Sequence, residues 1–160
     1  MKQKSFVQFM DSPVGKLRIL QRGEAIAQLL RCSDIPEGAC VEETPLLLQA
    51  KAQLQEYFDG VRRDFDLPLA PEGTPFQRKA WDTLCGIPYG ETISYGEEAE
   101  RMQCKCARAV GQANGRNPIC IVIPCHRVIR GDGSIGGYSA GLDMKGYLLE
   151  LEKRVIAEDK

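Results

Sequence analysis

A chain of 160 residues, 43% hydrophobic and 27% charged with a formal net charge of −1, has the composition of a folded globular protein and the length to bury a core. Disorder and fibrous repeats are excluded, and the longest apolar run, Ile119–Pro124, is far short of the roughly twenty residues a membrane-spanning helix needs. The basic start, MKQKSFVQFMDSP, lacks the long apolar stretch and cleavage site of a signal peptide, so the expected location is cytoplasmic with no membrane association.

Three short runs, Ser5–Met10, Lys16–Gln21 and Ala25–Arg31, read as strands, with turn signals at Ser12-Pro13-Val14-Gly15 and Arg22-Gly23 between them. Thr44-Pro45 gives an N-cap followed by proline at the first helical position. Leu46, Leu47, Ala50, Leu54, Tyr57 and Phe58 then recur at helical spacing, and Gly60 closes the helix. Leu67–Gly73, rich in proline, reads as a linker. Beyond it the pattern turns helical. Thr74-Pro75-Phe76-Gln77 and Ser94-Tyr95-Gly96-Glu97 are capping boxes, each opening a helix. Cys106–Ala113 reads as a further short helix stopped by Asn114-Gly115. Two short helices in succession, the second carrying Arg108 among small residues, suit a helix-turn-helix, with an ordinary αα-hairpin as the alternative. Ile119–Ile123, rich in β-branched residues, predicts a short buried strand ended by Pro124. A glycine-rich loop follows, then a last amphipathic helix from about Asp143 to Val155. The expected fold class is α+β. Residues 1–73 form a small N-terminal strand-rich domain with one or two helices, and residues 74–160 a mostly helical C-terminal domain with the helix-turn-helix.

Charge and cysteine content sharpen the functional classes. From Arg101 to Arg130 the chain carries Arg101, Lys105, Arg108, Arg116, Arg127 and Arg130 and no acidic residue. Such a stretch on an otherwise acidic protein is either a solvated basic face or a local polyanion site. The cysteines number seven, with a single histidine, and in a reducing compartment they are expected as free thiols. Cys104 and Cys106 form an isolated Cys-x-Cys pair, too few ligands for a structural metal, so no metal and no cofactor is expected. The one histidine, His126, directly follows Cys125 and Pro124. An imidazole near a thiol favours the nucleophilic thiolate, and a carboxylate from a distant element would orient the ring. By itself the dipeptide also suits an inert buried cysteine.

Longer strings decide the reading. Thr74-Pro75-Phe76-Gln77, Trp81, Ile87-Pro88-Tyr89-Gly90, Ser94-Tyr95-Gly96, Ala107-Arg108-Ala109-Val110-Gly111, Asn117-Pro118, Ile123–Ile129 and Gly137-Tyr138 occur in order. Together they closely resemble the O6-alkylguanine-DNA alkyltransferases, or methylated-DNA–protein-cysteine methyltransferases, densely from Thr74 to Glu152 and more loosely before it. The resemblance implies DNA repair by direct, irreversible, single-turnover transfer of the alkyl group from O6-alkylguanine, and from O4-alkylthymine, to an internal cysteine. It implies Cys125 as acceptor and His126 as a water-mediated base oriented by Glu152. Asn117 would stabilise the turn carrying the cysteine. Tyr95 would help rotate the nucleotide and hydrogen-bond the guanine. Val128, Tyr138 and Ser139 would border the substrate. Arg108, with Ala107, Ala109 and Gly111, would meet the DNA, its side chain filling the gap left by the extruded base. The implied partner is double-stranded DNA containing O6-alkylguanine, met by a monomer.

Two positions depart from the commonest family pattern. Ala140 stands where a second glycine is usual, which implies a narrower pocket, and Arg130 stands where a small residue is more typical. With one histidine, the zinc site of some members is not expected, nor is a methyl-phosphotriester domain. The alternative within reach is a non-catalytic alkylated-DNA lesion-binding protein. Such proteins replace the acceptor cysteine, and Cys125 is present. A cysteine hydrolase would leave Arg108, Tyr95 and the basic stretch without a role.

Overall fold

Turn signals placed between alternating runs make the first part of the chain a meander. β1 (Ser5–Ser12), β2 (Gly15–Arg22) and β3 (Ala25–Arg31) pair antiparallel in order, and β4 (Ala39–Val41) adds to β1 in parallel. In this computed structural model residues 3–138 and 141–159 are described; the sequence-predicted pocket residue Ser139 and its neighbour Ala140 lie outside them. The chain divides into two units, residues 1–72 and 73–160. In the first, Val7 and Leu20 face each other across β1 and β2 and share a buried cluster with Ala27. The helix α1 (Pro45–Phe58) packs on the sheet through a stripe that includes Leu47, Ala50, Leu54 and Tyr57. Its N-cap is Thr44, whose hydroxyl accepts the Leu47 N–H at 3.0 Å.

The stretch Leu67–Gly73 is partly docked rather than a free linker. Ile26 N donates to Pro68 O, and Ala70 N donates to Ile26 O, each at 2.8 Å. That pairing covers β3, an edge strand that would otherwise present open backbone groups.

In the second unit both capping boxes close. The helix α2 (Pro75–Leu84) starts on Thr74 with Gln77, and α3 (Tyr95–Arg101) starts on Ser94 with Glu97. The helix α4 (Ala107–Gly115) completes the helix-turn-helix and runs through Asn114-Gly115, two residues beyond the expected stop. Ala80, Ala99, Met102, Val110 and Ala113 form the buried cluster shared by α2, α3 and α4, with Met102 at the C-cap of α3. Small side chains let the helices approach closely, and Trp81 Nε1 donates to Ala113 O at 2.9 Å, tying α2 to α4. A two-residue strand β5 (Ile93–Ser94) pairs in parallel with β6 (Val128–Ile129), and α5 (Leu142–Glu158) closes the unit.

The expected strand at Ile119–Ile123 does not form. Ile121 has φ 71°, and the segment folds on itself through Ile123 N to Ile119 O at 3.0 Å and Val122 N to Cys120 O at 2.8 Å. The side chain of Asn117 overrides β-propensity by supplying both ends of the turn with a partner. Its Oδ1 accepts from Ile119 N at 3.0 Å and its Nδ2 donates to Ile123 O at 2.8 Å.

The cap of α4 is a cysteine. Cys106 Sγ accepts the Ala109 N–H at 3.4 Å, and sulfur is a weak acceptor. Cys106→Ser should therefore stabilise the protein by about 0.5–1 kcal/mol. Scanning calorimetry should show this as a Tm rise of roughly 2 °C. A lower Tm would mean that the packing of the sulfur outweighs the cap.

Candidate active site

The Asn117 turn delivers Cys125. Besides closing the turn, Asn117 Nδ2 lies 3.2 Å from Cys125 Sγ, so one amide fixes both the backbone and the thiol. Residues 125–127 form a single 3₁₀ turn (η1), which puts Cys125, His126 and Arg127 on different sides of the same loop. All three are buried, with Cys125 6% exposed and His126 0%. Burial pushes the Cys125 thiol up. The hydrogen bonds from Asn117 and Tyr138 and the charge of Lys145 act against that rise.

Behind the cysteine, Glu152 of α5 gathers three residues, His126 and Arg127 of η1 and Gly90. His126 Nε2 lies 2.6 Å from Glu152 Oε2, and Arg127 spans the carboxylate with Nε to Oε1 at 2.9 Å and Nη2 to Oε2 at 3.1 Å. Gly90 N donates to Oε1 at 3.0 Å. Burial alone would raise the Glu152 carboxyl, but the hydrogen bonds and charges of His126 and Arg127 outweigh it and hold the group down to about 2. Burial lowers His126 more than the neighbouring carboxylate raises it. An ionised Glu152 beside a neutral imidazole fixes the tautomer. Nε2 carries the proton and donates to Glu152, which leaves Nδ1 as the free lone pair. That nitrogen has no partner among the described residues.

Cys125 opens into a cavity of about 680 Å³ lined by residues that include Tyr95, Ala107, Arg108, Gly111 and Tyr138. Tyr95, the first residue of α3, crosses this cavity with its hydroxyl 3.4 Å from Gly137 O. Gly136 has φ 74°, and a Cβ there would fall 3.0 Å from the Tyr95 hydroxyl, so the loop approaches the ring only as glycine. Burial, Cys125 and Glu98 raise the Tyr95 phenol, which keeps it a protonated donor. Arg108 is exposed at the start of α4. Of the other sequence-predicted residues, Val128 is fully buried in β6 and Ala109 is half-buried on α4, and neither lines the cavity.

This arrangement of a cysteine, a neutral histidine held by a carboxylate, and a cavity bordered by a helix-turn-helix has clear relatives. Residues 75–154 match the family described as 6-O-methylguanine DNA methyltransferase, DNA binding domain, and residues 6–71 match its ribonuclease-like domain. The chain belongs to the 6-O-methylguanine DNA methyltransferase family. A methylated-DNA–protein-cysteine methyltransferase of Methanosarcina barkeri is 43% identical over 154 residues, covering 92% of this chain and 97% of the relative. One from Mycobacterium tuberculosis is 44% identical over 148 residues, covering 90% of each. The crystal structure of Mycobacterium tuberculosis OGT in complex with DNA superposes with a TM-score of 0.87 at 41% identity, covering 94% of each chain.

Two residues of this methyltransferase chain carry parts of the site that the sequence did not single out. Arg127, read as one of the basic stretch, is buried. Besides Glu152 it donates to Ile87 O at 2.7 Å, and its guanidinium lies 5.5 Å from the centre of the Tyr89 ring. The exposed cations of the stretch are therefore Arg101, Lys105, Arg108, Arg116 and Arg130. Lys145 is fully buried on α5 and donates to Val128 O at 2.7 Å and to Gly137 O at 3.1 Å. Its ammonium lies 5.8 Å from the centre of the Tyr95 ring, and burial brings it down to about 8. A signal for it existed. Lys145, Leu148 and Glu152 share one helical stripe, so a lysine in that row had to be buried.

Proposed function

We propose that this chain repairs double-stranded DNA by moving the alkyl group of O6-alkylguanine, and of O4-alkylthymine, irreversibly onto Cys125. The observation that carries the reading is the placement of Cys125 Sγ at a cavity bordered by Tyr95, Tyr138 and Arg108, with His126 and Glu152 behind it. A guanine O6 is hidden inside a duplex, so the nucleotide must be extruded, at a cost of a few kcal/mol. Arg108, exposed at the cavity edge on α4, fills the gap in the stack, while Ala107, Ala109 and Gly111 allow close approach. The exposed basic residues around it meet phosphates.

In the cavity, Cys125 Sγ attacks the alkyl carbon. The S–C bond forms as the C–O6 bond breaks, and the electron pair stays on the guanine. The thiol proton leaves through His126 Nδ1, reached through a water, and the departing base is reprotonated, so thiol plus alkylguanine gives thioether plus guanine. Tyr95 donates to the base as negative charge develops on it. Tyr138 borders the base, while Val128, buried in β6, holds Lys145 through its carbonyl. The equation balances without a cofactor, and none of these groups activates a water to break a thioether, so each molecule works once. In this reading residues 1–73 are a structural domain, residues 74–160 bind DNA and accept the alkyl group, and the protein acts as a monomer in the cytoplasm.

Labelled methyl transfer from an O6-methylguanine duplex tests this. The expected result is a plateau at about one methyl per protein, mapped to Cys125 by peptide mass and absent in Cys125→Ser. Tight lesion binding without transfer would mean a non-catalytic lesion-binding protein instead.

A further inference from the structure

The two helices of the helix-turn-helix share a buried carboxyl that alkyl transfer does not use. Glu98 of α3 is 0% exposed and Asn114 of α4 is 6% exposed, and Asn114 Nδ2 donates to Glu98 Oε1 at 2.6 Å. The other two oxygens of the pair, Glu98 Oε2 and Asn114 Oδ1, are buried and have no hydrogen-bond partner among the described residues. With the carboxyl ionised both are acceptors only, so the pair lacks one donor. The neighbouring elements do not supply a counter-charge. Helix α2 carries Arg78, Lys79 and Asp82, α3 carries Glu97, Glu100 and Arg101, and α4 with its C-cap carries Arg108 and Arg116; all are exposed. Among the described residues none of them pairs with Glu98, and the titratable group that feels its charge is the Tyr95 phenol.

We propose that protonated Glu98 is a positioning residue that latches the Tyr95-bearing helix to the Arg108-bearing helix through Asn114, and that its ionisation releases the latch. A proton on Oε2 is the donor the pair lacks. The acid then gives one hydrogen bond to Asn114 Oδ1 and receives one from Nδ2, and both buried oxygens are satisfied. Ionisation leaves both oxygens buried without a donor, which costs most in a low-dielectric interior. Parting the helices or admitting water relieves that cost. Asn114 lines the same cavity as Tyr95, Arg108 and Cys125, so a change at the latch reaches the alkyl-acceptor site. Burial holds the Glu98 carboxyl up at about 7, against the opposing hydrogen bond from Asn114, so the switch falls near neutral pH. The consequence for DNA rests on the alkyl-transfer reading. The latch itself does not.

The test compares the full chain with Glu98→Gln, whose amide supplies the missing donor at every pH. Two quantities are followed from about pH 5.5 to 8.5: the Tm of the free protein, and the affinity of Cys125→Ser forms for an O6-methylguanine duplex. A folded-state pKa raised above the unfolded one gives stability that is complete below the ordinary carboxyl range and lost as pH rises to about 7. The Tm of the natural protein should therefore fall across that window and that of Glu98→Gln should not, leaving the variant several degrees higher at the alkaline end. Lesion affinity should fall several-fold more with pH in the natural protein than in Glu98→Gln. Parallel Tm profiles would overturn the latch. Diverging Tm with parallel affinity profiles would overturn its positioning role. Diverging Tm with lesion binding by neither protein would support the latch and overturn the DNA reading.

Discussion

Glu152→Gln should destabilise the protein by about 3–5 kcal/mol, because it removes the carboxylate paired with the buried Arg127 guanidinium. Arg127, 6% exposed, would keep its charge and lose its counter-ion, while His126 would lose the acceptor that fixes its tautomer. The replacement amide still fills the space and still offers one oxygen to Gly90 N, so the loss reports charge rather than shape. Urea titration at neutral pH measures it. The pH dependence identifies the group. The Glu152 carboxyl is depressed to about 2, so its contribution is present in full above the ordinary carboxyl range and lost as pH falls towards 2. The stability gap between the natural protein and Glu152→Gln should therefore narrow only in acid. Under conditions where the variant stays folded, methyl transfer should slow on the order of 10²-fold, the scale of losing a well-oriented base. An unchanged midpoint at neutral pH would show that Arg127 finds another partner and would remove Glu152 from the centre of the site.

That cluster also shows what the amino-acid sequence carries and what it does not. Thr74 with Gln77 and Ser94 with Glu97 were legible because a capping box is local, every partner lying within four residues. The meander of the first unit was legible from its turns. The strands β4, β5 and β6, two or three residues long, carry no periodicity and form only because a partner strand lies alongside. Ile119–Ile123 misled for a related reason. Its β-branched run is a real propensity, but one asparagine side chain outside the run decides the conformation. At the site, the strings around Cys125 and Arg108 stood out as strings. Arg127 did not, because a basic residue in a basic stretch looks solvated until its carboxylate, twenty-five residues away, is placed beside it. Glu98 hides in the same way on a charged, capping-box helix.

Lys145→Met should slow methyl transfer on the order of 10²-fold while leaving stability nearly unchanged. Two opposing effects decide the second half. Removing the lysine takes a donor from the buried Val128 O, about 1–3 kcal/mol, whereas Gly137 is exposed and its carbonyl keeps the Tyr95 hydroxyl. It also removes a buried ammonium whose desolvation costs several kcal/mol, and methionine fills the channel with little strain. The Tm should therefore move by only a few degrees. No such compensation exists for the chemistry. Lys145 is the cation that lowers the Cys125 thiol against its burial, and it ties the Gly137 loop to the strand after the cysteine. Burial brings Lys145 down from 10.5 to about 8, so its charge fades as pH rises past about 8. In that range the rate advantage of the natural protein over Lys145→Met should shrink. The sign for stability is opposite. A lysine pKa lowered on folding means the unfolded chain binds the extra proton between about 8 and 10.5, so its contribution to stability rises with pH across that interval and is absent in the variant. Single-turnover rates at several pH values, read beside Tm at the same values, separate the two effects. A rate that fell only in proportion to lost folded protein would make Lys145 a packing residue and leave Asn117 and Tyr138 as the groups that tune the thiol.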